Sequence, residues 1–191
     1  MSCIVTDSVD DSMILIGGII DGSISGSVGR YNKAGKVGNL PELIYPRDGH
    51  GCAGYRDSQD NLVSGLVTQS DQLSYHWFSC SQVLMVAGGI WPGIRGPTDT
   101  TEILLDSALA WEMVKPLPDV YDILTNALIT VDNVVYLLGG QGLASGMNAT
   151  DQVLEWNSEK MEWIQPGSIL LRPRINHAVG TIPYSALQLC S

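Results

Sequence analysis

The residues that could perform chemistry in this 191-residue chain are few and scattered. The only histidines are His50, His76 and His177. Two of them, His50 and His177, occupy equivalent places in an internal repeat, which favours a structural role. No nucleophile-elbow, zinc-protease or phosphate-loop motif occurs, and Asp10-Asp11 fits a turn better than an acid–base pair. We therefore predict a protein that is not an enzyme and that uses no metal or cofactor.

The cysteines give no sign of a metal or redox site. No two of them have C-x-x-C spacing, and they are Cys3, Cys52, Cys80 and Cys190. Isolated cysteines of this kind are typical of buried thiols, so we predict a reducing compartment and a cytoplasmic location. Two disulfides are the open alternative.

The charge balance restricts the class of partner. Ten basic residues stand against twenty acidic ones, which gives a net charge of −10. An acidic field repels phosphate groups, so neither nucleic acid nor an anionic membrane is an expected partner. The uncharged stretch 72–94 carries Gln, Ser, Tyr and His and does not qualify as a membrane span. Another protein is the expected partner.

The chain contains a repeat in which a short apolar run ends in two glycines. The pairs are Gly17-Gly18, Gly88-Gly89 and Gly139-Gly140. Apolar, partly β-branched runs of this length are typical of buried strands. Paired glycines permit positive φ or a close backbone approach, which indicates a structural role for all six. Each pair is followed by a strand, a short polar turn and another strand.

Aromatic residues extend the pattern. Two copies place an apolar or aromatic residue on the third strand and a tryptophan six or seven positions later, as in Leu105 with Trp111 and Trp156 with Trp163. Val37 stands at the tryptophan position of the first copy. We interpret the three tryptophans as structural core residues.

This pattern resembles the kelch repeat family of β-propellers. The resemblance implies an all-β fold, an incomplete kelch-type propeller with about three four-stranded blades plus one strand of a fourth, near 177–182. The predicted boundaries are 1–45 for blade one, 46–118 for blade two, 119–170 for blade three and 171–191 for the start of blade four.

The spacing of the repeat is irregular. Gly88 and Gly139 are 51 residues apart, near the roughly 50 of a kelch repeat, whereas Gly17 and Gly88 are 71 apart. We interpret residues 63–81 as an insertion in the first hairpin of blade two. An ordinary loop insertion and the translation of an unspliced intron are both open.

The resemblance also implies a function. Kelch-like adaptors bind a client protein through loops at the blade ends, as the recognition part of a ubiquitin-ligase adaptor. Arg47 and Arg174 precede first strands, where such arginines line the binding face, and Trp91 follows a diglycine as a candidate anchor.

An incomplete propeller carries a further expectation. Three blades cannot close a ring, so the chain should expose apolar faces or bind the completing blades of a partner. The alternatives are a fragment of a galactose-oxidase-like copper enzyme and a secreted kelch protein with disulfides.

Overall fold

The computed structural model of the chain is built from β-strands, and none of the residues it describes is helical. None of these residues therefore belongs to a helix long and apolar enough to cross a membrane. The described residues are 2–7, 12–56, 82–93, 98–105, 109–118, 123–124, 127–142 and 148–179.

Three groups of strands follow one another along the chain. The first is β1 (Cys3–Asp7), β2 (Ser12–Ile20), β3 (Ser23–Asn32) and β4 (Gly35–Leu40). The second is β5 (Gly51–Arg56), β6 (Gln82–Ala87), β7 (Thr101–Leu105) and β8 (Glu112–Met113). The third is β9 (Ile123–Leu124), β10 (Ala127–Val131), β11 (Val134–Leu138), β12 (Gln141–Gly142), β13 (Val153–Asn157) and β14 (Glu162–Ile164).

The strands form three antiparallel four-stranded sheets. Blade one is β1-β2-β3-β4, blade two is β5-β6-β7-β8 and blade three is β10-β11-β13-β14. Two-residue connections join β2 to β3, β3 to β4 and β10 to β11. Asp132 and Asn133, with φ of 49° and 65°, form a two-residue turn of the type that matches strand twist. A separate pair, β9 with β12, was not predicted, because two-residue strands leave no periodic signal.

The blades stack face to face through two apolar cores. Side chains alternate between the two faces of a strand, so blade two contributes to both. The core between blades one and two comprises Val5, Ile14, Ile16, Val28, Leu43, Cys52, Leu84, Val86, Leu104 and Trp111. The core between blades two and three comprises Ala53, Tyr55, Val83, Met85, Ala87, Ile103, Leu117, Leu128, Val135, Leu137, Leu154, Trp156 and Trp163. The predicted all-β fold of three propeller-like blades is confirmed.

The tryptophans fasten each blade to the one before it. Trp111 Nε1 donates to Pro41 O at 2.8 Å, across the boundary between blades one and two. Trp163 Nε1 donates to Thr101 Oγ1 at 3.0 Å, from blade three to blade two.

The predicted pairing of Leu105 with Trp111 is wrong by one residue. The partner of Trp111 on the third strand is Leu104, because Leu105 packs on the opposite face of its sheet.

The outer face of blade one exposes apolar side chains, as expected for a propeller that does not close. Ile4 is 56% exposed and Met13 is 45% exposed. Val37, at the position where the other blades carry tryptophan, is 57% exposed. Single exposed apolar residues are ordinary, but adjacent ones on one sheet face mark a surface that another element can cover.

Two expectations concern the ends of blades. The strand predicted near 177–182 is not seen over residues 177–179, and residues 180–182 lie outside the described part of the chain. The predicted insertion at 63–81 also lies outside the described residues.

The expectation of isolated thiols is wrong for two cysteines. Cys3 and Cys52, 49 residues apart in sequence, form a disulfide with a Cα–Cα distance of 6.0 Å. The bond joins the beginnings of β1 and β5, the first strands of blades one and two. Sequence spacing could not reveal it, because stacking of the blades brings the two strand ends together.

Breaking this disulfide should destabilise the contact between blades one and two. Replacing Cys52 by Ala should lower the free energy of unfolding by about 2–4 kcal/mol, because the unfolded chain regains the freedom of a closed loop. Urea denaturation measures the loss, and peptide mapping without reductant should recover a linked Cys3–Cys52 peptide. Reductant should destabilise the native chain but cause no comparable loss in Cys52→Ala. A native chain insensitive to reductant would contradict the assignment.

Candidate partner-binding face

The candidate site lies at one end of the blades. This end carries the three glycine pairs and the beginnings of β1, β5 and β10, and we call it the diglycine face. Two connecting segments also lie here. The first connector, 41–50, leads from blade one to blade two, and the second connector, 165–177, follows blade three.

The glycine pairs bind the connectors by close backbone contact. Gly18 N donates to Arg47 O at 2.8 Å, and Gly140 N donates to Arg174 O at 2.9 Å. A Cβ on Gly17 would lie 2.9 Å from Arg47 O and 3.0 Å from His50 Cε1, and the φ of Gly17 is +54°. Any other residue there would therefore clash as well as strain the backbone.

The same docking recurs in blade three. A Cβ on Gly139 would lie 2.7 Å from Arg174 O and 3.1 Å from His177 Cε1. The Pro-Arg-x-x-His segments at Arg47 and Arg174 thus occupy equivalent places, and the structural role predicted for His50 and His177 agrees with these contacts.

Arg47 is a structural residue whose side chain is not accessible at the surface. Its side chain is fully buried and forms an ion pair with Glu102 on β7. Its Nη1 donates to Gly88 O at 2.9 Å and to Thr100 O at 3.2 Å. Burial lowers the pKa of Arg47, and the Glu102 carboxylate opposes that shift. The prediction that Arg47 lines a partner-binding face is wrong, because its guanidinium is buried and binds Glu102 and the carbonyls of Gly88 and Thr100.

Glu102 was missed by sequence reasoning. It accepts hydrogen bonds from Ile44 N at 2.8 Å and Tyr45 N at 3.3 Å, besides its pairing with Arg47. The signal was a single carboxylate within the otherwise uncharged strand Thr101–Leu105. A charge at a buried strand position requires an opposite charge, and Arg47 is that charge.

Trp91 and Arg174 remain accessible. Trp91 is half-buried, folds back over Gly93, and packs against Tyr45 with ring centroids 4.6 Å apart. Its uncovered part faces solvent in the loop that follows Gly88-Gly89. The Arg174 side chain is exposed. Of the three predicted partner-binding residues, Trp91 and Arg174 are therefore available for contact.

A cavity of about 320 Å³ opens where the first strands converge on this face. Its wall includes the disulfide half-cystines, Ile4, Leu128, His50 and His177. Burial, followed by the Arg47 guanidinium, lowers the pKa of His50 to about 3. Burial and the Arg174 guanidinium also lower the pKa of His177. The cavity wall is thus uncharged and largely apolar at neutral pH.

Each of the two imidazoles packs against the first glycine of a pair. Their Nδ1 and Nε2 atoms are buried without hydrogen-bond partners among the described residues. Backbone groups of Ile16 and Arg47 lie close enough to oppose the pKa shift of His50 but do not form hydrogen bonds with its ring. The described residues also contain no group of three or more His, Cys, Asp or Glu side chains that could hold a metal ion.

Comparison with known proteins leaves the family open. No protein-family model matches the chain. No curated protein matches it either. The kelch resemblance therefore rests on the residues of the repeat and on the three stacked sheets.

Removing Arg47 should destabilise the protein far more than removing its exposed counterpart. Arg47→Leu leaves Glu102 buried without its counter-ion and should cost about 3–5 kcal/mol of unfolding free energy. Arg174→Leu, the matched control, should stay within about 0.5 kcal/mol. Urea denaturation of both variants measures the difference. Equal losses in the two variants would contradict the burial assigned to Arg47.

Acidification should destabilise the fold through His50. The pKa of His50 is roughly 6.5 in the unfolded chain and about 3 in the folded chain. Between these two pH values the unfolded chain therefore binds more protons at His50 than the folded chain does. Stability contributed by neutral His50 is complete above that window and declines as pH falls, by up to about 1.4 kcal/mol per pH unit. His50→Gln should flatten the pH dependence of the urea midpoint across the window. An unchanged slope in the variant would refute the assignment.

Proposed function

We propose that this chain is a protein-interaction module, a partial kelch-type β-propeller that binds an extended segment of a client protein at its diglycine face. The observation that carries the proposal is the uncharged cavity of about 320 Å³ at the point where the three first strands converge. That volume matches the lower end of ligand-binding clefts and accommodates one large side chain.

The surroundings of the cavity suit a polypeptide ligand. Ile4, Leu128 and the Cys3–Cys52 bridge offer apolar contact, and the backbone of Gly49 and Gly51 also borders the opening. A client segment can place an apolar side chain in the cavity while its backbone lies across the face. Trp91 supplies an aromatic surface in a neighbouring loop, and half-buried tryptophans are frequent anchors of protein interfaces.

The biological setting of this module depends on the disulfide. The sequence predicted a cytoplasmic location and the recognition part of a ubiquitin-ligase adaptor. Disulfides persist in oxidising compartments and are rare in the cytosol. The Cys3–Cys52 bond therefore favours the second candidate, a kelch-type interaction domain that works in an oxidising compartment.

Client binding can be tested by blocking the cavity. A phage-displayed library of random peptides, selected on the full chain, serves as the probe. Ala178 is exposed and borders the cavity, so Ala178→Trp should fill the opening and weaken the selected peptides at least about tenfold. Trp91→Ala should weaken them as well, because it removes the aromatic anchor. Fluorescence anisotropy gives both affinities.

The matched control places the same substitution at the opposite end of the blades. Ala34 lies exposed in the turn between β3 and β4, and Ala34→Trp should leave peptide affinity unchanged. A library that yields no binding peptide, or peptides that bind Ala178→Trp and Ala34→Trp equally, would overturn the proposal.

A further inference from the structure

Arg47 and Arg174 occupy the same place in two successive repeats. Each lies three residues before a histidine that packs against the first glycine of the preceding blade. Each also offers its carbonyl to the second glycine of that pair, at 2.8 Å for Arg47 and 2.9 Å for Arg174. The second connector is therefore already folded in the conformation that, at Arg47, introduces a blade.

Their side chains differ only because one has a partner. The Arg47 guanidinium is buried and paired with Glu102, which lies on the third strand of the blade that Arg47 introduces. The Arg174 guanidinium is exposed, and no carboxylate of the described residues forms an ion pair with it. What Arg174 lacks is the third strand of a blade following blade three.

The outer face of blade three supports the same reading. Ile129, Tyr136 and Leu138 stand at the repeat positions of Val5, Ile14 and Ile16 in blade one, as the pairings of both hairpins show. The blade-one residues are covered by blade two and are at most 7% exposed. Their blade-three counterparts are only half-buried. This face has the apolar character of a blade interface without its cover.

We infer that the outer face of blade three, together with Arg174, is the docking surface for a further four-stranded blade whose third strand carries a glutamate at the position of Glu102. Residues 180–191 contain no glutamate, so they do not supply this third strand, and the occupant is a partner element with the strand order of blade two. Its glutamate pairs with Arg174 and accepts backbone hydrogen bonds from the second connector, as Glu102 does from the first.

A second copy of this chain does not meet that requirement. In blade two, Glu102 pairs with Val86, two residues before the first glycine, and the corresponding pair in blade one is Leu15 with Gly29. The third strand of blade one, Ser23–Asn32, contains no acidic residue. Stacking of blade one from a second copy on blade three would thus bury Arg174 without a counter-ion, which is costly.

Blade three shows that the charge pair is present or absent as a unit. Ile123 is the blade-three equivalent of Arg47. In blade two, Gly51 pairs with Ala87, the residue before Gly88, and Arg47 lies four residues before Gly51. In blade three, Ala127 pairs with Leu138, the residue before Gly139, and Ile123 lies four residues before Ala127. Leu154 stands where Glu102 stands, because it pairs with Leu137 two residues before Gly139. The blade lacking the arginine also lacks the glutamate. An arginine at position 174 therefore calls for a glutamate in the blade that follows.

The inference is tested by supplying such a blade. In an extended chain, residues 1–177 continue directly into a copy of residues 51–118, with Cys52 of that copy replaced by Val, the residue found at 179. We expect a higher urea midpoint than for residues 1–191. In the appended copy, Glu102→Gln should reduce the folding equilibrium constant at least about 100-fold, the effect of breaking a buried ion pair.

Two controls separate the ion pair from general effects of the appended blade. Glu112, exposed on β8, gives the matched variant Glu112→Gln in the appended copy, which should leave stability unchanged. Arg174→Leu should be nearly neutral in residues 1–191 but as harmful as Glu102→Gln in the extended chain, and the two changes together should be no worse than either. This arm does not involve client peptides, so its outcome is independent of the proposed function.

Three outcomes would overturn the inference. One is an extended chain that does not fold or is no more stable than residues 1–191. Another is a gain in stability that survives Glu102→Gln in the appended copy. The third is a head-to-tail oligomer of the unextended chain, seen by analytical ultracentrifugation and abolished by Arg174→Glu, since that result would identify a second copy as the occupant.

Discussion

The close approach of Gly17 and Gly139 to the connectors that follow their blades is the constraint on which the stacking depends. At Gly17 the Arg47 carbonyl and the His50 ring come within about 3 Å of where a Cβ would be, and Gly139 meets Arg174 and His177 in the same way. A side chain at either glycine would push the connector away from the sheet. The next blade would then no longer lie against the previous one, because the connector determines where its first strand begins.

Once the blades are stacked, their apolar faces are buried, and polar groups in the interface need hydrogen-bond partners within it. Tryptophan supplies both needs, since its large ring fills the space between sheets while its N–H finds an acceptor across the boundary. Trp156 and Trp163 pack edge to face with centroids 5.3 Å apart, and Trp156 Nε1 donates to the Tyr55 hydroxyl of blade two at 3.2 Å. The interface is therefore apolar in area but specific in its hydrogen bonds.

The repeat position of Arg47 holds a charged residue before one blade and an apolar residue before another. Between blades one and two it holds an arginine whose charge is neutralised by Glu102. The equivalent residue introducing blade three is Ile123, with Leu154 in the place of the acid. Buried ion pairs add little net stability over apolar residues but strongly disfavour a wrong neighbour. The charged version consequently restricts which blade can follow which connector.

The sequence by itself determined the strands, their grouping into three blades and the structural glycines. These features are local or periodic: apolar runs ending in Gly-Gly, and tryptophans at a fixed distance, report on strand and turn formation within a few residues. The residues that line the cavity could not be predicted from such local patterns, because they come from three separate first strands. Only the tertiary structure decided which of two identical Pro-Arg segments is buried. The same holds for the pairing of Cys3 with Cys52 and for the folding of Trp91 onto Tyr45. Burial and pairing depend on which elements pack nearby, and that information lies in contacts between residues far apart in the chain.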